Sequence, residues 1–178
     1  MKRKSWIITL SILAVIIVGS IVAAMIMNTP KANAPSANNT VQTTTGPLII
    51  YYVAVDDNGK TGTKIGCGDS AVPVVTADVT TSDKVKSTFE NLLANKKQFY
   101  GESGLYNVLY KSSLTFVSDS VANGTVTVKL TGTLSLAGEC DNPRVQAELE
   151  MAAKTAANVS KVAIFINDKP LSEVLSLK

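Results

Sequence analysis

Two short loops hold the residues of this chain best suited to chemistry. Lys64–Ser70 reads KIGCGDS and sets Cys67 two positions before Asp69. Gly138–Arg144 reads GECDNPR and sets Cys140 between Glu139 and Asp141, with Arg144 close behind. These are the two cysteines of a 178-residue chain that has no histidine. The commonest general base and zinc ligand is therefore missing, and Ser-His and Cys-His nucleophile pairs within the chain are excluded. A CxxC redox motif is absent too, which speaks against thiol-exchange catalysis. Two cysteines in Gly/Asp loops, in a domain placed outside a membrane by the topology argued below, point to a Cys67–Cys140 disulfide; two buried thiols are the alternative. A disulfide would bring Asp69 near Glu139, Asp141 and Arg144. Such a group could supply a carboxylate pair for glycoside hydrolysis or a weak calcium site. The plainer reading has Asp141 and Asn142 opening a helix while Arg144 neutralises a neighbour. That reading is adopted, with no catalytic residue, metal ligand or cofactor assigned.

A second candidate is aromatic. Phe99–Tyr110 (FYGESGLYNVLY) carries Phe99, Tyr100, Tyr106 and Tyr110, four of the chain's ten aromatics, with Gly101 and Gly104 permitting tight turns. It reads as a loop with one helical turn at most, folded back on a sheet, its rings used for packing. The functional alternative is a binding surface, because Gly-rich aromatic loops often carry recognition.

The elements that position these residues follow from patterning. Lys2, Arg3 and Lys4 precede an uncharged run, Trp6–Met27, long enough to cross roughly 30 Å of hydrocarbon. The positive-inside rule puts the N-terminus in the cytoplasm and the rest outside, as a single-pass anchor in the cell membrane. A cleaved signal peptide ending at Ala32-Asn33-Ala34, giving a secreted domain, is the alternative. No cysteine is placed for a lipoprotein anchor, and a pilin-type stalk would need an acidic residue that is missing. The expected organisation is a signal anchor over 1–28, a flexible Asn/Thr/Pro-rich tether over 29–46 and an extracytoplasmic domain over 47–178. Those first basic residues account for the whole net charge of +3. The neutral remainder excludes nucleic acid as a partner.

Within the domain, Pro47–Val55 (PLIIYYVAV) reads as a buried strand, Asp56–Gly59 as a turn, and Ala71–Val79 as a strand that Pro73 places at an edge or a strand start. Thr80–Asn95 reads as a helix with N-cap hydroxyls at Thr80–Ser82 and a buried face of Val85, Phe89, Leu92 and Leu93. Asn123-Gly124 joins Leu114–Ala122 to Thr125–Leu136 as a hairpin, with Val126, Val128 and Leu130 inward. Asn142 and Pro143 are expected to start a second helix with Val145, Leu149, Ala152, Ala153 and Ala156 on its apolar stripe. Val162–Ile166 is a strand, Asn167-Asp168 a turn, and Leu171–Leu177 a short terminal element. The predicted class is α+β: a largely antiparallel sheet of about four to five strands, two main helices on one face, after an N-terminal transmembrane helix.

Several of these pieces together resemble the GerMN domain of bacterial spore-germination and sporulation proteins. They are LIIYYVAVDDNG, PVVTADV with KVKSTFENLLAN, YGESGLYNVL, the hairpin SDSVANGTVTVKLTG and RVQAELEMAAKTAANVSKVAIFINDKPL, over about residues 47–171. The resemblance implies a small α/β domain, often behind a signal peptide or membrane helix, without catalytic residues to carry over. It also implies action through protein–protein contacts, as in ring-building envelope modules. The chain departs from the tandem arrangement of the sporulation protein in having one domain, and its cysteines are not a general mark of the family. The expected function is therefore a non-enzymatic envelope module, in a sporulation or germination setting, that binds a protein partner or itself. A cell-wall polymer is the alternative partner, and a carboxylate hydrolase a more distant one.

Overall fold

The computed structural model describes residues 42–176. The signal anchor over 1–28 and residues 29–41 of the tether lie outside the described residues; among those described, no helix is long and apolar enough to cross a membrane. β1 (Thr44–Ala54) begins inside the stretch assigned to the tether and buries Leu48, Ile50, Tyr52 and Val53 almost completely. It pairs antiparallel with β3 (Ser70–Thr81) along nearly its whole length, with an irregularity between Pro47 and Ile49. The short β2 (Thr63–Lys64) covers only the first two residues of β3. From Val72 onward β3 is an edge, in keeping with Pro73, which has no N–H to donate to a ladder.

α1 (Lys84–Ala94) buries Val85, Phe89, Leu92 and Leu93, the spacing of one helical face. Its cap differs from the expectation. Thr80 and Thr81 finish β3, and Asp83 is the N-cap, accepting a hydrogen bond from the Lys86 N–H at 2.9 Å. The carboxylate wins because it satisfies an orphan amide and meets the positive end of the helix dipole.

Phe99–Tyr110 also departs from a simple loop. β4 (Phe99–Tyr100) and β5 (Leu105–Tyr106) form a small hairpin, with Gly101 and Gly104 at positive φ in its turn. The hairpin extends the first sheet through one pair, Val53–Tyr106. Asn107 then ends β5. Its side chain donates to the Asn95 and Lys97 carbonyls and accepts from the Leu109 N–H, offering the backbone an alternative to the ladder.

The chain next enters a second sheet, so the strands divide between two sheets instead of filling one. β6 (Ser113–Ala122) and β7 (Thr125–Thr133) form the expected hairpin, with Asn123 and Gly124 both at positive φ, as a primed turn requires. α2 (Asp141–Ala157) crosses over to β8 (Lys161–Ile166), which runs parallel to β7. Asn167 and Asp168 turn the chain into β9 (Lys169–Pro170), and α3 (Leu171–Ser176) follows. The sheet orders are β2-β3-β1-β5-β4 and β6-β7-β8-β9. Pairing is antiparallel except between β7 and β8, so the class is α+β and largely antiparallel. One hydrophobic cluster joins Tyr52 and Val53, Phe89 and Leu92, Val126 and Val128, and Leu149 and Ile164.

Candidate functional site

The start of α2 and the cysteine turn meet. Cys67 and Cys140 are joined by a disulfide, with Cα atoms 5.8 Å apart. Cys67 sits in a 3-10 turn, Gly66–Gly68, that presses on α2: a Cβ on Gly66 would come within 2.9 Å of Pro143. The helix begins at Asp141 with Cys140 in the cap position and no side-chain cap bond, two residues earlier than expected for an Asn142 cap. The disulfide and the Gly138 and Glu139 carbonyls, which accept from Asp141 N and Asn142 N, already hold the chain in a turn there. Asn142 instead donates to the Leu175 carbonyl and fastens α3.

Arg144 bridges two buried carboxylates. Its Nε donates to Asp69 Oδ2 at 2.6 Å and its Nη1 to Asp141 Oδ1 at 3.1 Å. Burial pulls the guanidinium pKa down, but the bonds to Asp69 and Asp141 outweigh it and the net shift is upward. Asp69 also accepts from the Asp56 N–H at 2.9 Å, and Asp141 from the Ala137 N–H at 2.7 Å. Beside them, Asp57 is held below the ordinary carboxylate range, chiefly by hydrogen bonds from Ser70 and Thr61. Of the four charged residues suspected from sequence, Asp69, Asp141 and Arg144 converge while Glu139 stays exposed. Carboxylates locked onto a guanidinium are poorly placed for glycoside acid–base chemistry, which needs one free acid and one free base. Among the described residues, no group of three or more acidic, cysteine or histidine side chains could hold a metal ion.

Glu148 was not singled out from the sequence. It is fully buried on α2; Oε1 accepts from the Val108 N–H at 3.0 Å and Oε2 has no partner. Burial pushes its pKa well above the ordinary range, only partly offset by the Val108 bond, with Asp141 adding to the rise. Burial therefore favours the neutral carboxyl over the carboxylate at this position. The signal was there: Val145, Glu148, Leu149 and Ala152 share helical spacing, so Glu148 stands on the apolar stripe. Asp83 and Asp119 form another unforeseen pair, and the Asp119 pKa is raised by burial and then by Asp83.

The four suspected aromatics separate. Phe99 is 52% exposed, Tyr100 and Tyr110 are half-buried, and Tyr106 is only 8% exposed. Tyr100 stacks on Tyr52 with centroids 4.9 Å apart. Phe99, Tyr106 and Tyr110 form a contiguous row, with the Lys111 ammonium 5.3 Å from the Tyr110 ring and the Arg144 guanidinium 5.4 Å from Tyr106. Burial, then Asp141 and Tyr110, raises the Tyr106 phenol pKa. Tyr106 is thus packing, and a surface on this segment is built from Phe99 and Tyr110 with Lys111. The ion triad reaches this row through Arg144, which lies against Tyr106.

The search of curated proteins finds no match. Among solved structures, the tandem GerMN domains of the sporulation protein GerM from Bacillus subtilis match with a TM-score of 0.44 and 20% identity. The match covers 70% of this chain and 40% of that one, so the chain spans about two fifths of its length. The Germane family model, described as "Sporulation and spore germination", matches residues 49–172, from the third residue of β1's apolar run to the first turn of α3. With well over half of its length matched, the chain belongs to the Germane family of sporulation and spore germination.

Proposed function

We propose that this chain is a non-enzymatic module, tethered to the cell membrane by residues 6–27, that works outside the cytoplasm by contacting an envelope protein or a second copy of itself. Family membership supports the sporulation or germination setting. The observation that carries the contact reading is the row of Phe99, Tyr110 and Lys111, which presents a half-exposed phenylalanine beside a cation–aromatic pair. Exposed aromatic side chains are favoured anchors of protein contacts. The engagement of Asp69 and Asp141 by Arg144 weighs against a hydrolase.

A photo-crosslinking residue at Phe99, in cells making the full chain, tests the proposal. Adducts with an envelope protein or with the chain itself are expected; a site that yields none across growth and sporulation conditions overturns it. Exposed rings also suit sugar faces, which keeps cell-wall glycan as the second reading. Retention on purified wall material that falls in Phe99→Ala and Tyr110→Ala would favour that partner.

A further inference from the structure

We infer that the Cys67–Cys140 bond is a redox modification site, open to reduction by a dithiol in the folded protein, whose state sets the order of the aromatic segment Phe99–Tyr110. Cys67 is exposed and Cys140 half-exposed, so the bond lies at the surface instead of inside the core. Surface disulfides are the ones an attacking thiolate reaches. Cys67 also holds a left-handed backbone at φ 60, disfavoured for any side chain with a Cβ, in the turn between Gly66 and Gly68. Releasing the bond removes the covalent link between that turn and the start of α2.

The consequence travels through named contacts. Asp69, two residues after Cys67, is the carboxylate that Arg144 Nε grips. Arg144 lies against the ring of Tyr106. Tyr106 is in turn the residue through which β5 pairs with β1, and it packs against Phe99 and Tyr110. A turn freed at Cys67 loosens Asp69, then the guanidinium, then the one backbone pair between the hairpin and β1, leaving the Tyr100–Tyr52 stack. The β6–β7–β8 ladder has its own continuous pairing and contains neither cysteine.

The reaction is ordinary exchange. A thiolate of a dithiol attacks Cys67 Sγ, forming a mixed disulfide while the Cys67–Cys140 bond breaks and Cys140 leaves as thiolate. The second thiol of the reagent displaces Cys67 and closes the reagent's own disulfide. Two electrons and two protons pass from the dithiol to the protein sulfurs.

Hydrogen exchange followed by mass spectrometry on the full chain, oxidised and after dithiothreitol under native conditions, reads the outcome without reference to any partner. Reduction should be complete without denaturant, and exchange over 99–112 should rise by more than about tenfold beyond whatever rise β6–β8 shows. Arg144→Lys with the disulfide intact should raise exchange over the same segment, because a lysine keeps the charge but loses the planar two-carboxylate grip. Thiols that appear only in denaturant overturn the proposal. So does exchange over 99–112 that is unchanged in the reduced chain, or that rises by no more than in β6–β8, which would make the bond a general staple alone. Normal protection at 99–112 in the Arg144→Lys chain would refute the route through the guanidinium.

Discussion

Glu148 makes the stability of the fold depend on pH. Its carboxyl has a higher pKa folded than unfolded, so the protonated form favours the fold. That contribution is complete below the ordinary glutamate value of about 4.3 and is lost as pH rises through the raised folded value. Glu148→Gln keeps an acceptor for the Val108 N–H and cannot ionise. Relative to the parent chain, this variant should gain urea stability as pH rises above about 4; a difference that stays flat with pH would mean that the Glu148 pKa is not raised in the fold. Arg144 poses the opposite problem, because removing it strands two buried carboxylates. Arg144→Met should cost about 3–5 kcal/mol in urea unfolding at neutral pH. Adding Asp69→Asn should return part of that loss, since one of the two uncompensated charges is then gone.

Gly132 decides whether the β6–β7 hairpin closes. It has φ +116, and a Cβ there would lie 2.0 Å from the Ser113 carbonyl oxygen. Gly124, in the turn of the same hairpin, has φ +71 but open space around it. Gly132→Ala should therefore cost more than about 3 kcal/mol, combining backbone strain with a clash, and Gly124→Ala about 1–2 kcal/mol from strain alone. Equal thermal shifts for the two would mean that the strand can yield at Gly132. This hairpin was legible in the sequence because Asn123-Gly124 dictates its own turn and Val126, Val128 and Leu130 alternate. The buried faces of both main helices were legible for the same local reason. The division into two sheets was not, because it depends on Asn107 reaching the carbonyls of Asn95 and Lys97, groups ten and more residues away. Helix starts slipped by one to three residues, at α1 because Asp83 outcompetes the hydroxyls before it and at α2 because the disulfide turn sets Cys140 in the cap. On the candidate surface, composition located the aromatic segment, but only pairing of Tyr106 with Val53 reveals which ring faces inward.

The described residues fold around one core despite forming two sheets. α2 packs on β1 of the first sheet and on β7 and β8 of the second, and α1 spans β1 and β6. Neither sheet can shed a helix without exposing the apolar face of the other, so unfolding should be a single cooperative transition. The disulfide acts at this scale as well as locally, because it links residues 73 apart in sequence. Closing a loop of that length removes unfolded-state entropy worth about 4 kcal/mol on the chain-entropy account. That is a large fraction of the roughly 5–15 kcal/mol that holds an ordinary domain together, yet it leaves a reduced domain above its unfolding threshold. Urea unfolding of the Cys67→Ser/Cys140→Ser chain should accordingly keep one transition, coincident by tyrosine fluorescence and far-ultraviolet circular dichroism, at a lower midpoint. Two separated transitions would show that the sheets are energetically independent and that the shared core does not couple them. A midpoint unmoved by loss of the bond would mean that the chain gains no stability from the cross-link, leaving the Asp69–Arg144–Asp141 triad to fasten the cysteine turn to α2.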